Sequence, residues 1–473
     1  MGVFFTSQLP YTSDAAKLLL SDLWLFLECS IPTVSNYFGI PSVVWPLFRT
    51  PSGGLDELYF WSLGNSWCLF WHSILFVAQL IFIIGVPLSA LTGIPFPPLL
   101  CTPLLILSSV GIYILNAFLC DLLLNGFGRR LFYSNGGYAL DPNDPEKKLI
   151  PRDPQHRGER WIFMNGVSVG KHWLQGNLDL LAATFRRPIL GIHNTTHGIP
   201  FDVLECIFQR TFSYATLDVR IAYAGITNIL TDDSVTKVVL ISHSQGAIEA
   251  CLVLDWLYCT MSAAELQKLE IYTFGNAMNH WNCPSQTSGA PTIRHIEHYV
   301  NRWDWVSRFG ILHFRPLSTM PDPVPNGTTV IADTLQTFTT KTSDSGISMR
   351  TTNKLGELIL ISRKKRTSTA SLESKLAAPH RFAGRLFLQD APGHMLNQHY
   401  FDSLFPMNWV KSKVVTNTKN FMEQPVDESA LLADNTVKPR VDPMTGAPKH
   451  GVGKIGDKSR LFQYVNGNVP KEK

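Results

Sequence analysis

A serine flanked by small residues lies between a predicted strand and a predicted helix, and it is the residue best suited to nucleophilic chemistry. The β-branched run 237–241 precedes it, and the apolar segment 247–254, without Gly or Pro, follows it. This strand–turn–helix order lifts one side chain above the edge of a sheet, provided that the positions two before and two after it are small. The pattern therefore predicts Ser244 as the nucleophile. The five residues of the turn are Ser242, His243, Ser244, Gln245 and Gly246, with Ser242 at a position where glycine is usual.

A candidate base and a candidate acid lie downstream of this serine. A serine hydroxyl is a weak nucleophile at neutral pH, so it needs a base that an acid holds in one tautomer. Asp304 follows an apparent strand at 295–300 and is the candidate acid. His394 stands at a loop–helix junction after a predicted strand at 385–388 and is the candidate base. His399, more than one turn into the same predicted helix, is the alternative base, but the junction leaves His394 freer to point at the serine.

The oxyanion that forms during acyl transfer needs backbone N–H donors aimed at it. The residue after the nucleophile, Gln245, is expected to supply one. A glycine-bearing loop at 165–170 follows a predicted strand at 161–164 and is the expected source of the second donor. Within this loop the candidates are the N–H groups of Val167 and Ser168, and the sequence leaves both open.

The strand before the acid, and the acid itself, carry a resemblance to a known family. The strand end 273–275 reads Thr-Phe-Gly, and 301–306 reads Asn-Arg-Trp-Asp-Trp-Val. These segments resemble the T-F-G strand end and the N-x-x-D-x-V acid loop of class 3 fungal lipases, over residues 160–310 and 385–401. The resemblance implies an α/β-hydrolase fold and ester hydrolysis by Ser244, Asp304 and a C-terminal histidine.

The chain departs from that family in three features. Ser242 replaces the first glycine of the turn, an insertion separates the acid from the histidine, and a hydrophobic hairpin takes the place of a secretion signal. As a whole, the chain resembles uncharacterised fungal membrane-anchored α/β-hydrolases.

Two uncharged segments, 67–88 and 99–120, are each about long enough to span a bilayer core as a helix. Only the uncharged connector 89–98, dense in Pro and Gly, separates them. They predict an integral membrane hairpin that either crosses the bilayer twice or keeps its tip within one leaflet, and the sequence leaves both open. Basic flanks place the C-terminal part in the cytosol, on the endoplasmic reticulum or lipid droplets. These basic residues are Arg49, Arg129, Arg130, Lys147 and Lys148.

From residue 161 onward, apolar strand-like runs alternate with helical patterns, which predicts a mostly parallel sheet flanked by helices. The expected fold class is therefore α/β, which the resemblance narrows to the α/β-hydrolase type. The predicted organisation is a membrane-anchoring region (1–133), a linker (134–160), a hydrolase domain (161–411) with an insertion at about 317–380, and a polar tail (412–473).

The composition excludes several kinds of partner and cofactor. A net charge of +4 over 473 residues, without a basic stripe interleaved with aromatic residues, argues against nucleic acid. The eight cysteines form no CxxC pair, as expected for buried free thiols in a reducing compartment. His193 and His197 have the i, i+4 spacing of a metal motif but lack the glutamate of H-E-x-x-H, so neither a metal nor a cofactor is expected. Protein partners stay unspecified.

These residues together predict a membrane-anchored serine hydrolase that cleaves carboxylic esters. The substrate is expected to be lipid-like because the anchor brings the site to a bilayer. Ser244 would attack the carbonyl, His394 would carry the proton and Asp304 would orient the histidine. Two alternatives remain open: a catalytically silent membrane scaffold with the same fold, and an acyltransferase that uses the same residues with an acceptor other than water.

Overall fold

A mostly parallel, eight-stranded sheet forms the centre of the protein. The computed structural model describes residues 9–31, 39–47, 52–92, 102–136, 153–286, 289–315, 348–351, 358–361, 381–415, 420–442, 444–445, 449 and 453–471. The strands are β1 (Leu131–Tyr133), β2 (Glu159–Met164), β3 (Ile189–Ile192), β4 (Lys237–His243), β5 (Leu269–Phe274), β6 (His295–Asn301), β7 (Ser348–Thr351), β8 (Leu358–Ile361), β9 (Arg385–Gln389), β10 (Met407–Asn408), β11 (Lys413–Val414) and β12 (Thr436–Val437). The order in the large sheet is β1-β3-β2-β4-β5-β6-β9-β12, with only β1 antiparallel to its neighbour, while β7–β8 and β10–β11 pair separately.

Helices cover both faces of this sheet, which accounts for the nearly continuous apolar runs of β2, β4 and β5. On one face, α5, α6 and α7 share a core with the sheet, and on the other face α4 does so. The predicted α/β class is thereby confirmed. The helices are α1 (Ala15–Ser30), α2 (Leu63–Thr92), α3 (Thr102–Cys120), α4 (Lys171–Phe185), α5 (Ile199–Phe212), α6 (Leu217–Leu230), α7 (Gln245–Thr260), α8 (Ala263–Leu266), α9 (Trp305–Phe309), α10 (Ile311–Phe314), α11 (Asp402–Leu404), α12 (Glu428–Asp434), α13 (Ile455–Lys458) and α14 (Arg460–Gln463).

The two uncharged segments form the long helices α2 and α3. Within and just beyond them, Leu63–Leu88 and Leu107–Asn125 are long and apolar enough to cross a membrane. The observed bounds extend α2 at both ends relative to the predicted 67–88, and α3 is described from Thr102 onward. Residues 93–101, which include most of the connector 89–98 and the start of the second predicted segment, lie outside the described residues.

One face of α2 packs against the domain that carries the sheet. Asn65, His72 and Gln79 recur at intervals of seven along the helix, and all three are buried. The Asn65 Oδ1 accepts a hydrogen bond from the indole N–H of Trp173 on α4 at 3.1 Å. The His72 ring stacks on the same indole. A polar stripe on an otherwise apolar helix therefore docks α2 on the domain.

The same docking continues at the middle of the hairpin. The Gln79 amide donates to the Asn116 Oδ1 on α3 and to the carbonyl of His197, both at 2.7 Å. The Asn116 amide donates to the same carbonyl at 2.8 Å. Because buried amides left without partners are costly, these contacts fix both helices to the loop that precedes α5.

The C-terminal residues are part of the domain, in contrast to the extended polar tail expected after residue 411. Strand β12 pairs in parallel with β9 at the edge of the sheet. Leu461, Tyr464 and Val465 are buried in the core that also contains α4. A few buried apolar side chains are enough to hold an otherwise polar segment against the domain. The average polarity of the segment was therefore a poor guide to whether it is folded.

The other predicted boundaries also shift. Strand β1 belongs to the sheet, so the domain begins before residue 134. The segment 137–152, most of the expected linker, lies outside the described residues. Most of the expected insertion 317–380 also lies outside them, apart from the β7–β8 hairpin.

Candidate active site

Ser244 occupies a sharp turn between β4 and α7. Its backbone has φ 57° and ψ −123°, a conformation that costs a non-glycine residue free energy and occurs mainly where function demands it. The surroundings leave no room for larger residues. A Cβ on Gly246 would collide with the Met164 carbonyl, and a Cβ on Gly166 would collide with the Ser244 side chain. Close approach is therefore required at Gly246 and Gly166, whereas Ser242 is accommodated within the buried end of β4.

His394 and Asp304 are hydrogen-bonded partners. The His394 Nδ1 lies 2.8 Å from the Asp304 Oδ2, and both side chains are buried. Asp304 follows β6 and caps α9, while His394 follows β9, so both residues come from loops at the carboxyl ends of neighbouring parallel strands. The opposite ring nitrogen of His394, Nε2, is buried and has no hydrogen-bond partner among the described residues. That nitrogen is the atom that a general base presents to a nucleophile.

Three donors besides His394 hold the Asp304 carboxylate in place. The Val306 N–H donates to Oδ1 at 2.9 Å, and the hydroxyls of Ser307 and Tyr400 donate to Oδ2 at 2.8 Å. Burial by itself raises the pKa of the Asp304 carboxyl. The adjacent His394 and the donated hydrogen bonds outweigh burial, so this pKa lies below its ordinary value. Asp304 is therefore ionised and oriented.

Ser244 and His394 both lie beside the end of β5, at Phe274 and Gly275. The Ser244 N–H donates to the Phe274 carbonyl at 3.0 Å, and a Cβ on Gly275 would lie 2.7 Å from the His394 Cε1. No hydrogen bond joins the Ser244 Oγ to the His394 Nε2 within the described part of the chain. Such bonds are often long in unliganded sites and shorten when substrate binds. The structure brings the three predicted residues to one end of the sheet and makes the acid–base contact between two of them.

His399, the alternative base, has both ring nitrogens occupied. Its Nδ1 accepts a hydrogen bond from the Met395 N–H at 3.0 Å, and its Nε2 lies 3.0 Å from the Pro46 carbonyl. Its ring also fills the space beside Gly393, where a Cβ would collide with it. These contacts give His399 a role in holding the loop that carries His394, so the geometry favours His394 as the base.

The loop at 165–170 lies against the turn that carries Ser244. One of its two expected oxyanion donors, the Ser168 N–H, is used elsewhere. The Ser168 N–H donates to the Asp202 Oδ2 at 2.8 Å, so it is committed to α5. Ser168 itself adopts φ 62°, in the left-handed region. The Val167 N–H is left as the candidate from this loop, beside the N–H of Gln245.

A buried amide network behind the turn was missed by the sequence analysis. The Asn165 side chain donates to the Asn194 carbonyl at 2.8 Å and accepts from the Asn194 N–H at 3.0 Å. The Asn194 amide then donates to the Gln245 Oε1 at 2.7 Å. The network links the ends of β2 and β3 to the first residue of α7. An asparagine directly after each of two predicted strands was the only signal for it.

The segment 39–47, far upstream in the chain, also contacts the site. The Val43 carbonyl accepts from the His394 N–H at 3.0 Å, and the Ser42 Oγ accepts from the Trp305 N–H at 3.1 Å. Together with the Pro46 contact to His399, these bonds fix the loops of both the acid and the base. Most of the bonds use backbone atoms, so no residue type in the sequence marks them.

His243 supports His394 from the other side. Its ring stacks on the His394 ring at 4.5 Å, and its Nε2 lies 2.8 Å from the His394 carbonyl. Burial and the neighbouring His394 lower the pKa of His243 to about 3. His243 is therefore neutral at ordinary pH, with Nε2 as the donor to that carbonyl.

His193 and His197, the spacing considered for a metal, do not converge. The His193 Nε2 lies 2.8 Å from the Val169 carbonyl, and burial lowers the pKa of His193 to about 4. The neutral ring therefore donates to the 165–170 loop and supports it. His197 instead uses its carbonyl to bind the hairpin, and its ring stacks on Tyr113.

The arrangement as a whole offers a strained serine, an oriented imidazole with an available nitrogen, an ionised acid and backbone N–H groups close to the serine. This set of groups is suited to acyl transfer through a covalent intermediate. Comparison of the chain with family models, with curated proteins and with solved structures found no match.

Proposed function

We propose that the protein is a serine hydrolase with an α/β-hydrolase fold, similar to class 3 lipases, that cleaves carboxylic esters. The observation that carries the proposal is the His394–Asp304 pair at the same end of the sheet as the strained Ser244. The buried Nε2 of His394 has no hydrogen-bond partner among the residues that the structure describes. A buried imidazole nitrogen without a partner has a cost unless another group uses it. In the proposal, the Ser244 hydroxyl becomes that partner when substrate binds.

In this mechanism the Ser244 Oγ attacks the ester carbonyl carbon while its proton passes to the His394 Nε2. The Asp304 carboxylate stabilises the imidazolium through Nδ1 and remains ionised, in keeping with its lowered pKa. The N–H groups of Gln245 and Val167 bind the oxyanion. The imidazolium then protonates the leaving alkoxide, and water repeats the sequence on the acyl-enzyme to release the acid.

The proposed substrates are lipid-like esters because a segment bonded to the His394 loop exposes apolar side chains. The segment 39–47, which is hydrogen-bonded to the His394 loop, exposes four large apolar side chains to solvent. Large apolar side chains exposed close together are typical of surfaces that contact membranes or apolar ligands. The four residues are Ile40, Val44, Trp45 and Leu47.

The docking of the hairpin favours insertion into one leaflet over two full crossings. Gln79 lies about 24 Å along α2 from Leu63, at 1.5 Å per residue. At that point it is still hydrogen-bonded to the domain. Two full crossings would place the polar 194–198 loop near the bilayer centre, where backbone groups find no water. Residues 80–92, about 20 Å of helix, are the part long enough to enter a single leaflet, which is about 15 Å deep.

Labelling with a fluorophosphonate probe tests the proposal. The full-length protein in membranes is expected to react, and Ser244→Ala and His394→Ala are expected to abolish labelling. Ser242→Gly, which restores the usual glycine next to the nucleophile, serves as the matched control and is expected to label like the wild type. A folded wild-type protein that does not react would instead support the catalytically silent scaffold. Labelling that survives Ser244→Ala would eliminate this serine as the nucleophile.

A further inference from the structure

A cysteine, an aspartate and a histidine converge on one face of α7, in the half of the helix farther from the strained turn. Cys251 and Asp255 are one helical turn apart, and His280 follows β5 in the loop beside that face. The Cys251 Sγ lies 3.8 Å from the His280 Nε2, and the Asp255 Oδ2 lies 3.5 Å from the same nitrogen. One ligand atom from each of the three residues falls within 4.8 Å of the others.

Two contacts hold the His280 ring so that Nε2 faces the other two residues. The Nδ1 lies 2.7 Å from the Asn279 Oδ1, and because an amide oxygen only accepts, Nδ1 carries the proton. The lone pair is therefore on Nε2. The Tyr11 ring, from the residues before α1, stacks on the imidazole at 4.1 Å with an interplanar angle of 7°. An imidazole whose second nitrogen donates to an oxygen is the usual arrangement of a metal-ligating histidine.

We propose that Cys251, Asp255 and His280 bind a divalent transition-metal ion, with Zn²⁺ as the preferred ion. Thiolate and imidazole ligands select Zn²⁺ over Mg²⁺ or Ca²⁺, and Zn²⁺ takes Cys, His and Asp ligands tetrahedrally. Metal–ligand bonds of about 2.0–2.3 Å at tetrahedral angles put neighbouring ligand atoms about 3.5 Å apart, close to the two distances measured. The Asp255 side chain is 38% exposed, so it can turn to complete the set, and water can fill the fourth position.

The charges of the site balance when the ion is bound. Without metal, the Cys251 thiol lies 3.4 Å from the His280 carbonyl and donates to it. Binding replaces the thiol proton with the metal ion and releases that proton to solvent. The thiolate and the Asp255 carboxylate then carry two negative charges against the two positive charges of the ion. The site is neutral as a whole, which suits its largely buried position.

The ion would tie α7 to the loop that follows β5. Both elements start at the candidate active site, since α7 begins at Gln245 and the loop begins at Gly275, beside His394. The metal site itself lies about two to three helical turns from that end, so the ion takes no part in the chemistry at Ser244. Its role is structural, and it does not depend on the protein being a hydrolase.

Metal analysis of the full-length protein in detergent tests this proposal. Zinc content is measured by inductively coupled plasma mass spectrometry, before and after incubation with Zn²⁺ and removal of excess ion. Co²⁺ binding is followed through the near-ultraviolet absorption band that a thiolate ligand produces. The variants are Cys251→Ser, Asp255→Asn and Asn279→Ala, and Cys259→Ser, at an exposed cysteine of the same helix, is the matched control.

The wild type and Cys259→Ser are expected to hold about one ion per chain and to show the thiolate band with Co²⁺. Cys251→Ser is expected to lose the cobalt–thiolate band. Asp255→Asn is expected to lose the retained zinc ion. Asn279→Ala, which removes the orienting oxygen, is expected to weaken binding about 10–100-fold. Asp255→Asn tests the site even if Cys251→Ser fails to fold, because its side chain is partly exposed. Wild-type protein without retained zinc or a cobalt–thiolate band would overturn the proposal, as would equal binding by wild type and Asp255→Asn.

Discussion

The main-chain N–H of His394 donates to the carbonyl of Val43 at 3.0 Å, which joins the candidate base to a segment that lies before both hydrophobic helices in the chain. The N-terminal region therefore helps to hold the loop that carries the candidate base. An N-terminal region that only anchored the protein would have no such contact. Removing it would therefore disturb the proposed catalytic loop as well as the proposed membrane attachment.

Tyr400→Phe is expected to lower kcat/KM by about 10-fold, because it removes one hydrogen bond to an ionised carboxylate. The lost donor is the hydroxyl that lies 2.8 Å from the Asp304 Oδ2 and helps to lower the pKa of that carboxyl. The pKa of the Asp304 carboxyl should therefore rise. Tyr258→Phe removes a hydroxyl bound to the Asn282 carbonyl, away from the site, and is the control. An unchanged kcat/KM in Tyr400→Phe would leave the tyrosine with a packing role only.

His399→Ala is expected to keep fluorophosphonate labelling while lowering the free energy of unfolding by about 2–3 kcal/mol. The ring fills the space beside Gly393 and occupies both nitrogens with the Met395 N–H and the Pro46 carbonyl. Thermal denaturation and probe labelling of the same preparation check both parts. Complete loss of labelling in a folded His399→Ala protein, with labelling retained in His394→Ala, would reverse the assignment of the base.

The protein is expected to lose stability as the pH falls below the ordinary histidine pKa of 6.5, in part through His243, whose pKa is lowered to about 3. Between these values the unfolded chain binds a proton at His243 that the folded chain excludes, so falling pH favours unfolding. The slope from one such residue is about 1.4 kcal/mol per pH unit. His243→Gln keeps an N–H for the His394 carbonyl but does not titrate. The difference in Tm between about pH 7.5 and about pH 5 should be smaller in this variant, and an equal difference would contradict the assignment.

Two glycine-to-alanine changes should have opposite effects. Gly166→Ala brings a methyl group into the Ser244 side chain and is expected to cost about 1–3 kcal/mol and most of the activity. Gly225→Ala lies inside α6, with nothing within 4 Å of the added carbon, and is expected to stabilise the protein by about 0.5–1 kcal/mol. Thermal melts and probe labelling of the pair check this. Normal labelling of Gly166→Ala would mean that the 165–170 loop is not needed close to the serine.

Insertion into one leaflet predicts the accessibility of a cysteine near the tip of the hairpin. Leu91 is 84% exposed near the end of α2, so Leu91→Cys should lie in hydrocarbon. It should resist a membrane-impermeant maleimide from both sides of sealed vesicles and react after detergent is added. Cys259, exposed on the domain, is the internal control and should react without detergent. Reaction of Leu91→Cys only after the vesicle interior is opened would instead indicate two full crossings.

Local patterns were enough to predict the centre of the fold. The residue types of the apolar runs that form β2, β4 and β5 are enough to predict that these strands are buried. The tight turn at Ser244 follows from small residues between a strand and a helix. Asp304 and His394 could be found because strand ends gather at one edge of a parallel sheet.

The remaining features depend on contacts between segments far apart in the chain. Val43 and Pro46 act through their carbonyls, which every residue possesses, so their side chains give no sign of the contact. The Ser168 N–H was expected to be an oxyanion donor because the sequence does not show that α5 places Asp202 beside it. His280 meets Cys251 only because of the path that the loop takes after β5, and no short motif encodes that path.

The shared carbonyl of His197, bound by Gln79 and Asn116, has a consequence for kinetics. A domain on a flexible tether would sample the volume above its membrane, whereas one bonded to its anchor keeps a constant height and tilt. Encounters with substrate then occur by lateral diffusion within a surface. Turnover under the proposed function should therefore follow the mole fraction of ester in the host lipid, and diluting the ester with inert lipid should slow the reaction even when its total amount is unchanged.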